Sequence, residues 1–197
     1  MHAEASREFL TRYQAVYGSL PHVDRLLDAV RVVQLRPRES AFREDEECPR
    51  LYLVRSGLLK QLYTTEDGSE WIKSFAREGD FFACPIALTP GGRTTFASAA
   101  IEPSVVEYVD WRVIDELGET DIAWQRAIRL GFQRLAELKV RRERDLLMLS
   151  AEALYRQFAA DAPELIERVP QKDLAAFFGV TPVGLNRIIR RQAAVPF

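Results

Sequence analysis

Along this chain the spacing of apolar positions changes character twice, from helical to alternating and back to helical. Phe9, Tyr13, Val16 and Tyr17, then Val23, Leu26, Leu27 and Val30, recur at three- and four-residue steps, which predicts short helices over 3–29. Shorter, β-branched runs follow. Val30–Leu35 is closed by Pro37, Leu51–Arg55 is followed by a Ser56-Gly57 turn, and Leu58–Thr64 continues with period two. Glu66-Asp67-Gly68 is a hairpin signal before a returning strand at Trp71–Ala76. Arg77-Glu78-Gly79-Asp80 turns again, and Val105–Val109 is a late strand. Many short strands separated by turn residues predict a sandwich or barrel, best matched by a jelly roll.

From about Asp121 the helical period returns. Trp124, Ile128, Phe132, Leu135 and Leu138 form a stripe, and no proline intervenes before Pro163. A helix of roughly 28 residues is about 42 Å long, more than one small barrel needs for cover. Two readings follow: the stripe packs on its own barrel, or it is the seam of a dimer in which two such helices lie side by side. The length favours the dimer. After Leu138 the stripe dissolves into Arg141-Arg142-Glu143-Arg144-Asp145, either a solvated face or a source of inter-subunit ion pairs.

The chain then closes on two short helices joined by a tight turn. Pro170 suits a first helical turn, where its missing N–H is harmless. Leu174, Ala175 and Phe178 share one face, and Gly179 supplies the left-handed conformation that ends a helix. Thr181-Pro182 is a start signal, an N-cap hydroxyl before a pre-set φ. In the second helix Leu185, Ile188 and Ile189 form an inward face, while Asn186, Arg187, Arg190 and Arg191 point outward. This is the pattern of a helix-turn-helix, whose second helix exposes polar side chains to the major groove. The rival is a plain helical hairpin with a solvated basic end.

Composition narrows the classes. A net charge of −2 over 197 residues implies no general affinity for polyanions. Residues 167–197, however, hold Arg168, Lys172, Arg187, Arg190 and Arg191 against Glu167 and Asp173, a local charge of +3 that fits a confined nucleic-acid footprint. The only cysteines, Cys48 and Cys84, cannot furnish the four ligands of an iron–sulfur cluster or structural zinc site. Both histidines, His2 and His22, precede the barrel, so a metal-dependent jelly-roll enzyme has no ligand set; no metal and no enzymatic activity are expected. No apolar run approaches about 18 residues and no signal-peptide pattern begins the chain, so a cytoplasmic location without membrane contact is expected.

With these zones in order, almost the whole chain resembles the family of catabolite activator and FNR-type (CRP/FNR) bacterial transcription regulators. Leu51-Tyr-Leu-Val-Arg-Ser-Gly-Leu-Leu-Lys, Glu66-Asp-Gly-Ser-Glu and Phe75-Ala-Arg-Glu-Gly-Asp-Phe-Phe resemble the family's cyclic-nucleotide-binding barrel. Gly57 and the Gly79-Asp80-Phe81 turn are the most characteristic points. The resemblance implies an α+β chain with three parts: helices and an effector barrel over 1–119, a dimerisation helix over 120–149, and a winged-helix-like or helix-turn-helix DNA-binding domain over 150–197. It also implies a homodimer on double-stranded DNA, with RNA polymerase as a further partner.

Departures from the family pattern concern the effector. Nucleotide-binding members carry a Gly-Glu pair after the Gly-Asp-Phe turn, and its glutamate accepts from the ribose hydroxyl. Here Ala83-Cys84-Pro85-Ile86 follows, and Pro85 lacks a backbone donor. Arg93-Thr94 does resemble the phosphate-binding pair. Glu137 and Leu138 fall where cyclic-AMP binders present hydroxyls to the base. The candidate effector residues are therefore Ala83, Cys84, Arg93 and Thr94, with no cyclic nucleotide expected as cofactor. Arg93 is either an anchor for some other anion or an exposed arginine beside Pro90-Gly91-Gly92. Cys84 is expected to be a buried bystander, because redox reactivity needs both a lowered pKa and exposure.

In the reading helix, Arg187 aligns with the arginine that family members place on a guanine edge. Pro182 and Val183 replace the family's Arg and Glu, so an altered half-site is expected. Val183 suits a thymine methyl and Asn186 an adenine or a phosphate. Lys172, Thr181 and Arg190 are expected on phosphates, with Arg191 on the same outward side. Only six residues follow Arg191, leaving no room for a β-wing there, so any strand pair is expected earlier, at Leu165–Val169. The chain is thus read as a sequence-specific transcription regulator. The alternative is an effector-binding or protein-interaction module whose C-terminal helices dock a protein.

Overall fold

A computed structural model describes residues 2–193. Helices α1 (His2–Tyr17) and α2 (Val23–Ala29) precede eight strands: β1 (Arg31–Leu35), β2 (Ser40–Phe42), β3 (Arg50–Ser56), β4 (Leu59–Thr64), β5 (Glu70–Ala76), β6 (Phe81–Phe82), β7 (Ala97–Ala100) and β8 (Ser104–Asp110). Six helices complete the chain: α3 (Trp111–Thr120), α4 (Ile122–Met148), α5 (Ala151–Asp161), α6 (Pro163–Arg168), α7 (Gln171–Phe178) and α8 (Pro182–Ala193). These residues form two compact units. One comprises residues 2–63 and 75–134, the other residues 64–74 and 135–193.

The strands build two four-stranded sheets, ordered β1-β8-β3-β6 and β2-β7-β4-β5, the expected jelly roll. β1 and β3 both pair with β8 in antiparallel register, for example Val33 with Val106 and Tyr52 with Tyr108. Side chains alternate across β3. Tyr52 and Val54 enter the interior with Phe42, Leu59, Phe82, Phe96 and Val106, while Leu53 faces the helices with Phe9, Tyr13, Leu26, Ile114 and Trp124. Burial on both faces explains why β3 reads as a continuous apolar run rather than an alternating one. Three strands escape the sequence pattern. β2 and β6 are three and two residues long, and β7 (Ala-Ser-Ala-Ala) has no β-branched residue; β2 and β4 hold it through their ladders.

Gly57 shows how tightly the barrel closes. Its φ is +92°, and a Cβ there would stand 2.3 Å from Ser104 Oγ and 2.7 Å from the Pro103 carbonyl oxygen. Gly57→Ala is therefore expected to lower stability by roughly 1–3 kcal/mol, from a disfavoured φ plus a backbone clash. An unchanged urea midpoint would contradict this account.

The long helix forms as the period predicts, but its stripe does not serve one surface. Trp124 and Ala127 are fully buried against the first unit's own α1 and α3, with the Trp124 Nε1–H donating to the Pro21 carbonyl at 2.8 Å. Ile128 packs in the same cluster, and Phe132 meets Trp111 edge-on at 5.8 Å. Trp124 and Ile128 of the expected dimer seam are thus intramolecular core, while Phe132 stays exposed. Further exposed apolar side chains follow at Leu138, Val140, Leu146, Leu147 and Met148. The pattern marks amphipathicity but carries no information on whose surface covers it. α3 was not foreseen; the Asp110 carboxylate caps it by accepting from Arg112 N–H at 3.0 Å.

Candidate nucleic-acid interface and barrel site

In the second unit the two terminal helices are bounded as their punctuation dictates. Pro170 stands just outside α7 as its N-cap, one position earlier than expected. Gly179 takes φ +69°, and the Gly179 and Val180 amides both return to the Ala175 carbonyl, closing the helix end. Thr181 Oγ1 accepts from the Gly184 amide at 3.1 Å, so the hydroxyl caps α8, and Pro182 opens the helix. Leu174, Ala175, Phe178, Leu185 and Ile188 are buried between the helices and α5, with Ile189 half-buried beside them. Tyr155 and Phe158 of α5 meet Phe178 at 5.7 and 5.5 Å, edge to face.

That packing turns one side of α8 outward. Pro182, Val183, Asn186, Arg187 and Arg190 are all exposed, as are Thr181 at its cap and Lys172 on α7. Val183 is 62% exposed, a large apolar side chain open to a contact such as a thymine methyl. Arg191 differs from this set. Its Nη1 lies 3.7 Å from the Glu152 carboxylate of α5, and Gln192 donates to the same carboxylate at 3.1 Å. It ties α8 to α5 across the inner flank. No strand pair occurs at Leu165–Val169. Pro163 starts α6 there instead, the Val169 amide closes it on the Leu165 carbonyl, and the described residues of 150–193 include no wing.

The barrel candidates are brought together, but with partners inside the chain. Arg93 Nε donates to Asp45 Oδ1 at 2.6 Å, and its Nη2 reaches the Asp45 carbonyl. Thr94 is buried; its hydroxyl donates to the Arg43 carbonyl and accepts from the Glu46 amide at 2.9 Å. The backbone adds Asp45 N–H to Thr94 O and Thr94 N–H to Glu46 O, each 2.8 Å. The pair that resembles a phosphate clamp is therefore stitched to the 43–46 loop, and Asp45 already gives Arg93 a carboxylate. Sequence reasoning missed Asp45, although the run Glu44-Asp45-Glu46-Glu47 is the densest acidic stretch in the barrel.

Cys84 lies 1% exposed in the barrel interior, beside the half-buried Ala83. Burial pushes its thiol up, but amide donation from Thr95 and Ala87, with Ile86 behind, outweighs this and holds it below the ordinary thiol range. One requirement of a reactive cysteine is met and exposure is not. Cys48 is also buried; its thiol is pushed up by burial, against a 3.2 Å contact with the Tyr52 hydroxyl. Among the described residues no group of three His, Cys, Asp or Glu side chains is placed to hold a metal ion, and no helix is long and apolar enough to cross a membrane.

A jelly-roll barrel, a long amphipathic helix and a helix-turn-helix with a basic outer face follow one another in this chain. Residues 32–121 match the cyclic nucleotide-binding domain family. The chain is 25% identical over 187 residues to the fumarate and nitrate reduction regulatory protein of Escherichia coli, covering 87% of this chain and 72% of that protein. It is 24% identical to the Vibrio cholerae protein of the same name over 189 residues, 88% of this chain and 72% of the relative. Among solved structures it superposes on FixK2 from Bradyrhizobium japonicum with a TM-score of 0.66 at 21% identity, over 85% and 88% of the two chains. The c-di-GMP-responsive global regulator CLP of Xanthomonas campestris gives a TM-score of 0.69 at 16% identity, over 87% and 90%. The matched domain and these relatives support a regulator of the CRP/FNR type.

Proposed function

We propose that this protein is a homodimeric, sequence-specific DNA-binding regulator that works without cyclic AMP. The exposed face of α8 carries the reading: Val183, Asn186, Arg187 and Arg190 stand clear of a helix whose other side is locked by Leu185 and Ile188. Arg187 supplies a bidentate donor for a guanine edge, and Lys172 and Arg190 supply phosphate contacts that position without specifying. The exposed apolar residues from Leu138 to Met148 on α4 support pairing with a second copy, because clustered exposed apolar side chains mark an interaction surface.

Against cyclic AMP stand two facts of the barrel. The ribose-facing position holds no glutamate, and the guanidinium suited to the cyclic phosphate is engaged by Asp45. A nucleotide would have to displace that carboxylate, and the Ala83-Cys84-Pro85-Ile86 segment offers no glutamate to its ribose hydroxyl.

The reading is tested by a gel shift on DNA upstream of the protein's own gene at two salt concentrations. Retardation that weakens with salt is expected. Lys172→Ala should weaken binding to cognate and scrambled DNA alike and reduce the salt slope by about one. No retardation at either concentration would overturn the assignment.

A further inference from the structure

The charged run after Leu138 has a role that neither a solvated face nor an inter-subunit pair describes. Arg142, four residues beyond Leu138, does not project into solvent. Its Nη2 donates to the Phe177 carbonyl, and its guanidinium lies 3.8 Å from the centroid of the Phe177 ring. Phe177 belongs to the last turn of α7, where carbonyls lack helical partners and the helix dipole presents negative charge. One side chain of α4 therefore supplies a hydrogen bond, a positive charge and a cation–π stack to the end of α7, two residues before the turn at Gly179. The same ring meets Phe158 at 5.1 Å and Phe178 at 5.2 Å, so the contact joins the aromatic core of the second unit. Asp145 is buried and accepts from Gln157 of α5 at 3.4 Å, while Leu146–Met148 remain exposed.

We propose that Arg142 is a positioning residue that fixes the angle between α4 and the helix-turn-helix, and thereby the separation of DNA half-sites that the dimer accepts. The inference rests on the reading of the chain as a DNA-binding dimer joined along α4. In such a dimer α4 is the element common to both subunits, so its angle to α7 sets where each α8 enters the major groove. The lever is sensitive. α8 has 12 residues and is about 18 Å long, so a tilt of about 10° moves its far end by about 3 Å, close to one base-pair step. An arginine suits this task better than a lysine, because its planar fork sets direction as well as charge.

The test uses the full chain and the operator it selects from random DNA, rebuilt as a series in which the half-sites are moved one to three base pairs closer or further apart. The wild type is expected to prefer one spacing by tenfold or more. Arg142→Met should flatten that preference to within about threefold while binding to scrambled DNA stays within twofold and the protein remains dimeric. Arg142→Lys, which keeps the charge, should be intermediate, and Phe177→Leu, which keeps the carbonyl but removes the ring, should act like Arg142→Lys. These two variants stand in if Arg142→Met fails to fold. An arginine that only stabilises the unit would weaken every spacing equally, and that result, or an unchanged preference, overturns the proposal. A wild type that binds DNA but ignores spacing overturns it as well. If the wild type binds no DNA, the functional reading itself fails, and the two failures are thereby told apart.

Discussion

Arg187→Ala is expected to erase most of the protein's preference for its operator while leaving the fold intact. A bidentate arginine–guanine contact contributes about 1–3 kcal/mol of discrimination, which corresponds to roughly 5- to 150-fold in relative affinity. Arg187 is exposed, and α8 is held by Leu185, Ile188 and the Thr181 cap, so removing the guanidinium takes away readout and not packing. Competition between operator and scrambled duplexes, read by fluorescence anisotropy, separates the two effects. The operator curve should move toward the scrambled one, which itself shifts only by the loss of one cation. Should the variant discriminate as well as the wild type, α8 is not the element that reads sequence.

Trp124→Ala should be the most destabilising change in the first unit, at about 3–5 kcal/mol. The indole is completely buried, lies tilted against the Tyr13 ring at 5.6 Å, and satisfies the Pro21 carbonyl. Truncation leaves a cavity and an unpaired buried acceptor together. Urea unfolding monitored by circular dichroism measures the loss, and its dependence on protein concentration locates it. A core residue loses the same stability at all concentrations. A residue at a dimer seam would show a loss that grows on dilution, and that outcome would return Trp124 to the intersubunit surface.

How far the sequence carried the argument depends on the range of the interactions involved. The helix-turn-helix was legible nearly residue by residue, because Pro170, Gly179, Thr181 and Pro182 act through local φ preferences and capping. β3, β4, β5 and β8 were legible because β-branched and aromatic residues recur between turn signals. β7 was not, since four small residues become a strand only when β2 and β4 offer them hydrogen bonds. In place of the expected strand pair near Leu165 a helix forms, for a local reason: Pro163 followed by Glu164 is a helix start.

The site residues divide in the same way. Burial of Leu185 and Ile188 against exposure of Val183, Asn186 and Arg187 follows from helical period alone, so the readout face could be drawn from the letters. The partners of the arginines could not. Arg93 meets Asp45 across 48 positions, Arg142 meets Phe177 across 35, and Arg191 meets Glu152 across α5 and α8. By itself the sequence determined the class of fold, the order of its parts and the outward face of the last helix, because periodicity, capping and turn chemistry act over a few residues. Only the tertiary structure decided which part of the α4 stripe its own chain covers, which arginines meet acidic partners, and which one meets the end of α7. Those depend on long side chains meeting groups remote in sequence, and nothing within a few residues of Arg93, Arg142 or Arg191 records what they touch.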